Sequence, residues 1–366
     1  MGFIDSLRRM IPRRASSDTK SRWTFATDGT CRDNLRNNEP TWCVGVSRFE
    51  SFLQGVEKRT ENSLGRRLAH AALEHEERLM RVGILSKPHG RETAAWSDYI
   101  SDWESRGLGR FSLLDDGQDV RILAEDPASG PICAGALAAA WECATSRRHR
   151  FTWSDGSSDG VVVSLIEQHT DVPNPKPMDA PWITYEPTAF ASTEDHDYWT
   201  DFRADGGGTW SIMGERKVMI HLDLILRFEE YCIPYVEDSN FMRSGDYSWG
   251  GFEGKRSAWL AAVADTAREG FTSEGHHVLV RDHLDWISIA RRHLSPHGLG
   301  GLEKTEQTDA HGGVLLTFSG LFHPAIASGI LLGCWERAYG RNGRAVFSFE
   351  SGKSNVELCS SRAIAD

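Results

Sequence analysis

Two stretches of this chain carry the same pattern of apolar and polar positions. From Pro131 to Ser157, ten residues recur in register 194 positions later (Trp335 against Trp141). They are Ile132/Ile326, Gly135/Gly329, Leu137/Leu331, Trp141/Trp335, Glu142/Glu336, Ala144/Ala338, Arg147/Arg341, Arg150/Arg344, Ser154/Ser348 and Ser157/Ser351. The spacing reads as one helix with a basic exit. Pro131 suits a first turn, and the second helix, Pro324 to Tyr339, meets Gly340 where helices commonly stop. Short apolar runs flank each helix: Phe111 to Leu114 and Val120 to Ala124, then Phe151 to Trp153 and Val161 to Leu165. In the second stretch they are Gly301 to Lys304 and Val314 to Phe318, then Ala345 to Phe349 and Asn355 to Cys359. Turn residues separate each pair, so every pair predicts a hairpin.

Further landmarks recur in the same order. Arg48-Phe49-Glu50 is echoed by Arg227-Phe228-Glu229, and Trp96 with Gly107-Leu108-Gly109 by Trp286 with Gly298-Leu299-Gly300. Leu64 to Leu79 and Trp96 to Trp103 carry helical periodicity. The pattern predicts an α+β protein of two tandem copies, each a helical lead-in followed by hairpin, helix and hairpin, packed as a pseudo-two-fold dimer. The boundaries read as a polar and basic lead-in at 1–40, a first copy at 41–172, a linker at 173–215 and a second copy at 216–366. The linker is rich in proline and aromatics, with three consecutive glycines at Gly206 to Gly208, and predicts little secondary structure. Its aromatic content suits a segment wrapped across the seam between the copies.

At 366 residues the chain has the length of two domains. A net charge of -11 argues against nucleic acid as a partner. Without a run of ~18 apolar residues or a secretory leader, the expectation is a cytoplasmic protein with no membrane span. Seven cysteines, none in a C-x-x-C pair, read as reduced thiols. Met1 to Arg14 reads as a basic tail with some amphipathic character.

The stretch Phe322-His323-Pro324 through Gly329, Trp335-Glu336, Gly340-Arg341 and the strand ending at Cys359 resembles the 4-vinyl reductase domain family, related to the transport protein particle subunits. The resemblance covers the last 60 to 80 residues of each copy. It implies a domain that binds small hydrophobic molecules without catalysis and pairs about a two-fold, which a tandem chain would do internally. Some relatives hold zinc near the final hairpin. Here Glu350 to Cys359 keeps one glutamate and one cysteine, so no metal site is expected.

The candidate site follows from the second copy. Trp286, Phe322, His323, Ile330, Cys334 and Trp335 are expected to line an apolar cavity, with Arg341 or Arg344 at a polar end. Trp141-Glu142 and Trp335-Glu336, followed by arginines, read first as structural locks of carboxylate on guanidinium. Gly135 and Gly329, costly in mid-helix, suggest close approach of another backbone, most simply between the copies. His221, Asp223, Glu229 and Glu230 fall on one predicted helix. The expected function is binding of a small hydrophobic or aromatic molecule, as carrier, sensor or pathway accessory. The rival is an enzyme using His323, or Asp195, His196 and Asp197, for proton transfer or metal binding. A scaffold subunit that meets a partner protein or a further copy of itself is a third reading. The sequence names no cofactor.

Overall fold

The computed structural model describes residues 15–90, 93–115, 117, 119–156, 160–183, 198–236, 241, 243–350 and 352–362. The basic stretch 1–14 and the candidates Asp195, His196 and Asp197 lie outside the described residues. The chain begins with helix α1 (Ala15–Arg22) and the strands β1 (Trp23–Phe25), β2 (Cys31–Asp33) and β3 (Glu39–Gly45). Helices α2 (Val46–Thr60), α3 (Gly65–Arg81) and α4 (Ser97–Ser105) follow, then a hairpin of β4 (Arg110–Asp115) and β5 (Asp119–Glu125). Helix α5 (Gly130–Thr145) and a hairpin of β6 (His149–Asp155) and β7 (Gly160–Glu167) close this run.

A second run repeats much of this order. It opens with β8 (Phe202–Gly206), β9 (Thr209–Ile212) and β10 (Glu215–His221), and α6 (Leu222–Cys232) follows. A short strand β11 (Tyr247–Trp249) then precedes α7 (Gly254–Ser273) and α8 (Asp285–His293). The hairpin of β12 (Gly300–Gln307) and β13 (Val314–Leu321), helix α9 (Pro324–Tyr339), and the hairpin of β14 (Gly343–Glu350) and β15 (Lys353–Ser360) complete it.

The protein is a mixed α+β structure with three sheets among the described residues. One has the order β4-β5-β7-β6, another β11-β14-β15-β13-β12, and the six-stranded one β1-β2-β3-β10-β9-β8. In the six-stranded sheet, β3 and β10 run antiparallel with Cys43 opposite Met219, flanked by Thr41 opposite His221 and Gly45 opposite Lys217. Helix α5 covers one small sheet and is backed by α3; α9 covers the other and is backed by α7. Across the middle, α3 packs on α6 and α2 on α7.

The two mid-helix glycines explain how close the helix layers come. A Cβ at Gly135 would stand 2.0 Å from the Ala69 carbonyl oxygen, and one at Gly329 would stand 2.0 Å from that of Ala264. Backbone does meet backbone at both sites, but within each run, α5 on α3 and α9 on α7. The expected contact between the copies is made by other helices.

Three further expectations change. The stretch read as a linker holds β8, β9 and the start of β10, because the positive-φ glycines Gly206, Gly207 and Gly208 turn a hairpin there instead of breaking structure. The lead-in likewise supplies β1 and β2. Arg48-Phe49-Glu50 and Arg227-Phe228-Glu229 are not equivalent: measured from the residue before each helix, Gly45 and His221, they lie one turn apart. His221 accordingly ends a strand instead of sharing a helix with Asp223. Trp182 donates its Nε1–H to the Phe322 carbonyl at 3.1 Å, and Trp210, Trp199 and Phe202 form a small core with Trp23 and Phe25 on the central sheet.

The glutamates of the repeat are locks, with partners other than the exit arginines. Glu142 accepts the backbone N–H of His149 at 2.6 Å and Arg148 at 2.7 Å. Glu336 accepts the backbone N–H of Gly343 at 3.0 Å, Arg243 at 2.6 Å and Arg268 at 3.2 Å. Each carboxylate so ties its helix to the first residue of the next strand, which the leaving chain brings within reach before Arg147 or Arg341 can turn back.

Candidate functional site

A groove of about 1510 Å³ opens between α2, α7 and α8, with the ends of β3 and β10 as its floor. Gly55 on α2 makes the base: a Cβ there would stand 2.5 Å from Thr266 Cγ2, so the two helices touch below and splay above. Trp42, Phe52, Phe271, Ile326 and Ile330 give the walls an apolar character. Trp42 meets Phe52 edge-on at 5.4 Å between ring centroids.

The polar floor is connected. Arg48 lies 2.9 Å from Glu274 and 3.9 Å from Glu215, and Lys217 pairs with Glu215. His297 Nδ1 faces the Cys43 carbonyl at 3.1 Å, which requires it to carry the proton; Nε2 then accepts from Arg48 at 3.4 Å. Burial, helped by Lys217 and Arg48, pushes the imidazole down to about 3 and keeps this neutral tautomer. His293 is lowered to about 4 by burial, with His276 and Arg292 adding to it. Its ring lies 5.2 Å from that of His276 and 5.1 Å from that of Phe271. Cys43 is a protonated thiol, raised to about 11 by burial. The site therefore offers neutral imidazoles, apolar walls and, at its rim, the exposed Arg291 and Arg292. Among the described residues no group of three or more His, Cys, Asp or Glu could hold a metal ion.

Of the residues expected from sequence, Ile330 lines this groove. Trp286, Phe322, Cys334 and Trp335 are fully buried in the main core, where Trp335 donates to the Gly312 carbonyl at 2.7 Å. His323 is fully buried at the start of α9, edge-on to Trp182, with Nε2 3.1 Å from Glu229 Oε1 but off the line of a hydrogen bond. Arg341 stacks over Trp335 and Tyr339, with centroid distances of 5.3 Å and 5.7 Å. Arg344 donates to Cys359 Sγ at 3.0 Å. Helical periodicity marked buried faces, and burial in a packed core is what it reports; a groove at a meeting of elements distant in sequence leaves no periodic trace.

A buried ionic cluster that sequence reading missed joins α1, β2, α3 and α4 of the first run to β10 and α6 of the second. Arg22 pairs with Asp33 at 2.5 Å and Asp102 at 2.8 Å; Arg36 with Asp102 at 2.8 Å; Arg106 with Glu76 at 2.7 Å and Asp102 at 3.0 Å. His221 Nε2 lies 2.8 Å from Asp33, His75 Nδ1 lies 2.8 Å from Asp223, and Arg227 donates to Asp223 at 2.7 Å. The imidazoles of His75 and His221 stack at 5.2 Å. Burial alone would raise these carboxyls, but hydrogen bonds and guanidiniums outweigh it: His221 and Arg22 at Asp33, Arg106, Arg22 and Arg36 at Asp102, and His75 and Arg227 at Asp223 hold all three well below the usual carboxylate range. His221 is itself held neutral by burial and by the nearby Arg36. Each charge is paired, as burial demands. Its only trace in the sequence is a set of charged residues inside otherwise apolar faces. No protein-family model matches this chain, and no curated protein does either.

Proposed function

We propose that the chain is a tandem protein of the 4-vinyl reductase-like kind, two equivalent modules about an internal pseudo-two-fold, and that the groove between α2 of the first module and α7 and α8 of the second binds a small molecule with a hydrophobic or aromatic body. Support for the duplication comes from the doubled element order, the pairing of β3 with β10 centred on Cys43 and Met219, and the matching contacts of Gly135 and Gly329. The observation that carries the binding reading is a difference between equivalent places. Counted from Gly45 and His221, Ser47 and Ser51 in the groove correspond to Asp223 and Arg227 in the cluster. Counted from the carbonyls under Gly135 and Gly329, Gly270 corresponds to His75. Where one meeting of the modules is filled with charged side chains, the equivalent one has small side chains at these positions that leave space beside apolar walls, the composition of a ligand site. Arg291 and Arg292 at the rim suit a negatively charged end. A carrier, sensor or pathway accessory role needs no more than this.

The test is titration with 1-anilinonaphthalene-8-sulfonate, an aromatic anion, followed by its fluorescence. A single saturable site is expected. Refilling the groove as its counterpart is filled, with Ser51→Arg and Gly270→His at exposed positions, should weaken binding at least tenfold while the protein stays folded by circular dichroism. Unchanged affinity in that variant would remove the groove as the site.

A further inference from the structure

In the second run, β14 is not the edge of its sheet. The short strand β11 pairs with it in parallel, Tyr247, Ser248 and Trp249 against Ala345, Val346 and Phe347. Gly250 continues the contact by donating to the Phe347 carbonyl at 2.8 Å. The residues 194 positions earlier are Phe151, Thr152 and Trp153 on β6. There β6 is the outer strand, and no strand among the described residues covers it. A second groove, of about 280 Å³, runs along those same three residues. An uncovered edge presents unpaired backbone groups and is a template for another strand.

The chemistry of this groove says what kind of strand would fit. Its lining includes Arg66, His70, Arg148 and Arg150 and no carboxylate, in a chain whose net charge is -11. The nearby acids are already engaged: Glu77 and Glu142 accept Arg148 at 2.6 Å and 2.7 Å, and Glu74 accepts Tyr231 at 2.6 Å. Arg66 and Arg150 stand exposed. In the second run the corresponding place holds acids paired with arginines. The segment leading into β11 brings Arg243 to Glu336 at 2.6 Å, and the Tyr247 hydroxyl meets Asp265 at 3.3 Å. Asp265 follows Ala264 as His70 follows Ala69, the two carbonyls under the mid-helix glycines, so an imidazole takes the place of that acid. Aromatic walls are kept: Trp249 packs on Phe347 at 6.2 Å, and on β6 Phe151 and Trp153 stack at 6.2 Å.

We infer that β6 is a docking edge for an extended acidic segment of another protein that carries an aromatic side chain and adds to the sheet in parallel, as β11 does on β14. Backbone pairing with Phe151 to Trp153 gives the affinity, Arg66 and Arg150 select acidic neighbours, and Phe151, Trp153 and His70 take the ring. The inference rests on the 194-position correspondence and not on what the larger groove binds.

The probe is a fluorescein-labelled peptide, Glu-Asp-Tyr-Ser-Trp-Glu-Asp-Gly, titrated into the full chain by fluorescence anisotropy, beside a version with lysine at every acidic position. Saturable binding of the acidic peptide is expected, at least tenfold tighter than that of the lysine version and at least tenfold weaker in Arg66→Glu with Arg150→Glu, whose thermal midpoint should match the parent. Amide hydrogen exchange at Phe151 to Trp153 should slow in the complex. No binding, or equal binding of both peptides, overturns the inference. Binding without protection of those amides overturns it in favour of a site for anionic side chains alone. Self-association that the arginine variant abolishes, without peptide, overturns it in favour of a second copy of this chain.

Discussion

Replacing Gly329 or Gly135 with alanine sets two effects of known size against each other. Each glycine is inside a helix, where alanine is favoured by about 1 kcal/mol. Each also has a carbonyl oxygen 2.0 Å from where the new Cβ would stand, Ala264 at one site and Ala69 at the other. Carbon and oxygen approach no closer than ~3.3 Å in ordinary contacts, so the helices must part by more than 1 Å or bend. A gap of 0.5 to 1 Å already forfeits roughly a quarter to a half of the dispersion well at each contact. One turn away on the same faces stand buried residues, among them Leu260 and Leu332 on one pair and Leu73 and Ile132 on the other. Overpacking of this kind costs about 1 to 3 kcal/mol, and rigid backbone on both sides puts it at the upper end. After the propensity gain, each variant should lose about 2 kcal/mol. Gly270→Ala is the control: it is helical, a Cβ there meets nothing within 4 Å, and it should gain up to about 1 kcal/mol. Urea unfolding midpoints, with thermal midpoints as a second reading, measure all three. Either mid-helix variant proving as stable as the parent, or more so, would refute the backbone contact.

Two further outcomes are expected. Asp102→Asn removes the anion shared by Arg22, Arg36 and Arg106, and breaking a buried pair in this way costs about 3 to 5 kcal/mol; a urea midpoint within error of the parent would show the cluster to be solvated. His297, lowered to about 3 by burial, takes its proton in the unfolded chain first, near its ordinary value of 6.5. Its contribution to stability is therefore present above pH 6.5 and lost as pH falls towards 3, amounting to about 2 kcal/mol by pH 5 at 1.36 kcal/mol per unit. His297→Asn should flatten the stability profile across that window, and an unchanged slope would count against the neutral tautomer.

Local pattern carried most of the elements. The helices Gly130–Thr145 and Pro324–Tyr339 and the four hairpins around them follow from periodicity, proline at the start, αL residues at the end and turn residues between strands, all of which act within a few positions. The glycines at 135 and 329 announced a close backbone contact but not with which helix, because propensity says that a side chain is missing and not what stands in its place. Tertiary structure alone decided three things. It made strands of the glycine-rich stretch before β10, whose pairing partner β3 is far away in sequence. It buried Trp286, Phe322, His323 and Cys334 in the core, since apolar periodicity marks a face that leaves water without saying whether protein or ligand covers it. And it set the groove of Ser47, Ser51 and Gly270 opposite in character to the cluster of His75, Asp223 and Arg227. Both depend on side chains from elements more than a hundred positions apart in sequence, whose charges and volumes are satisfied, or left open, only when the chain has closed around them.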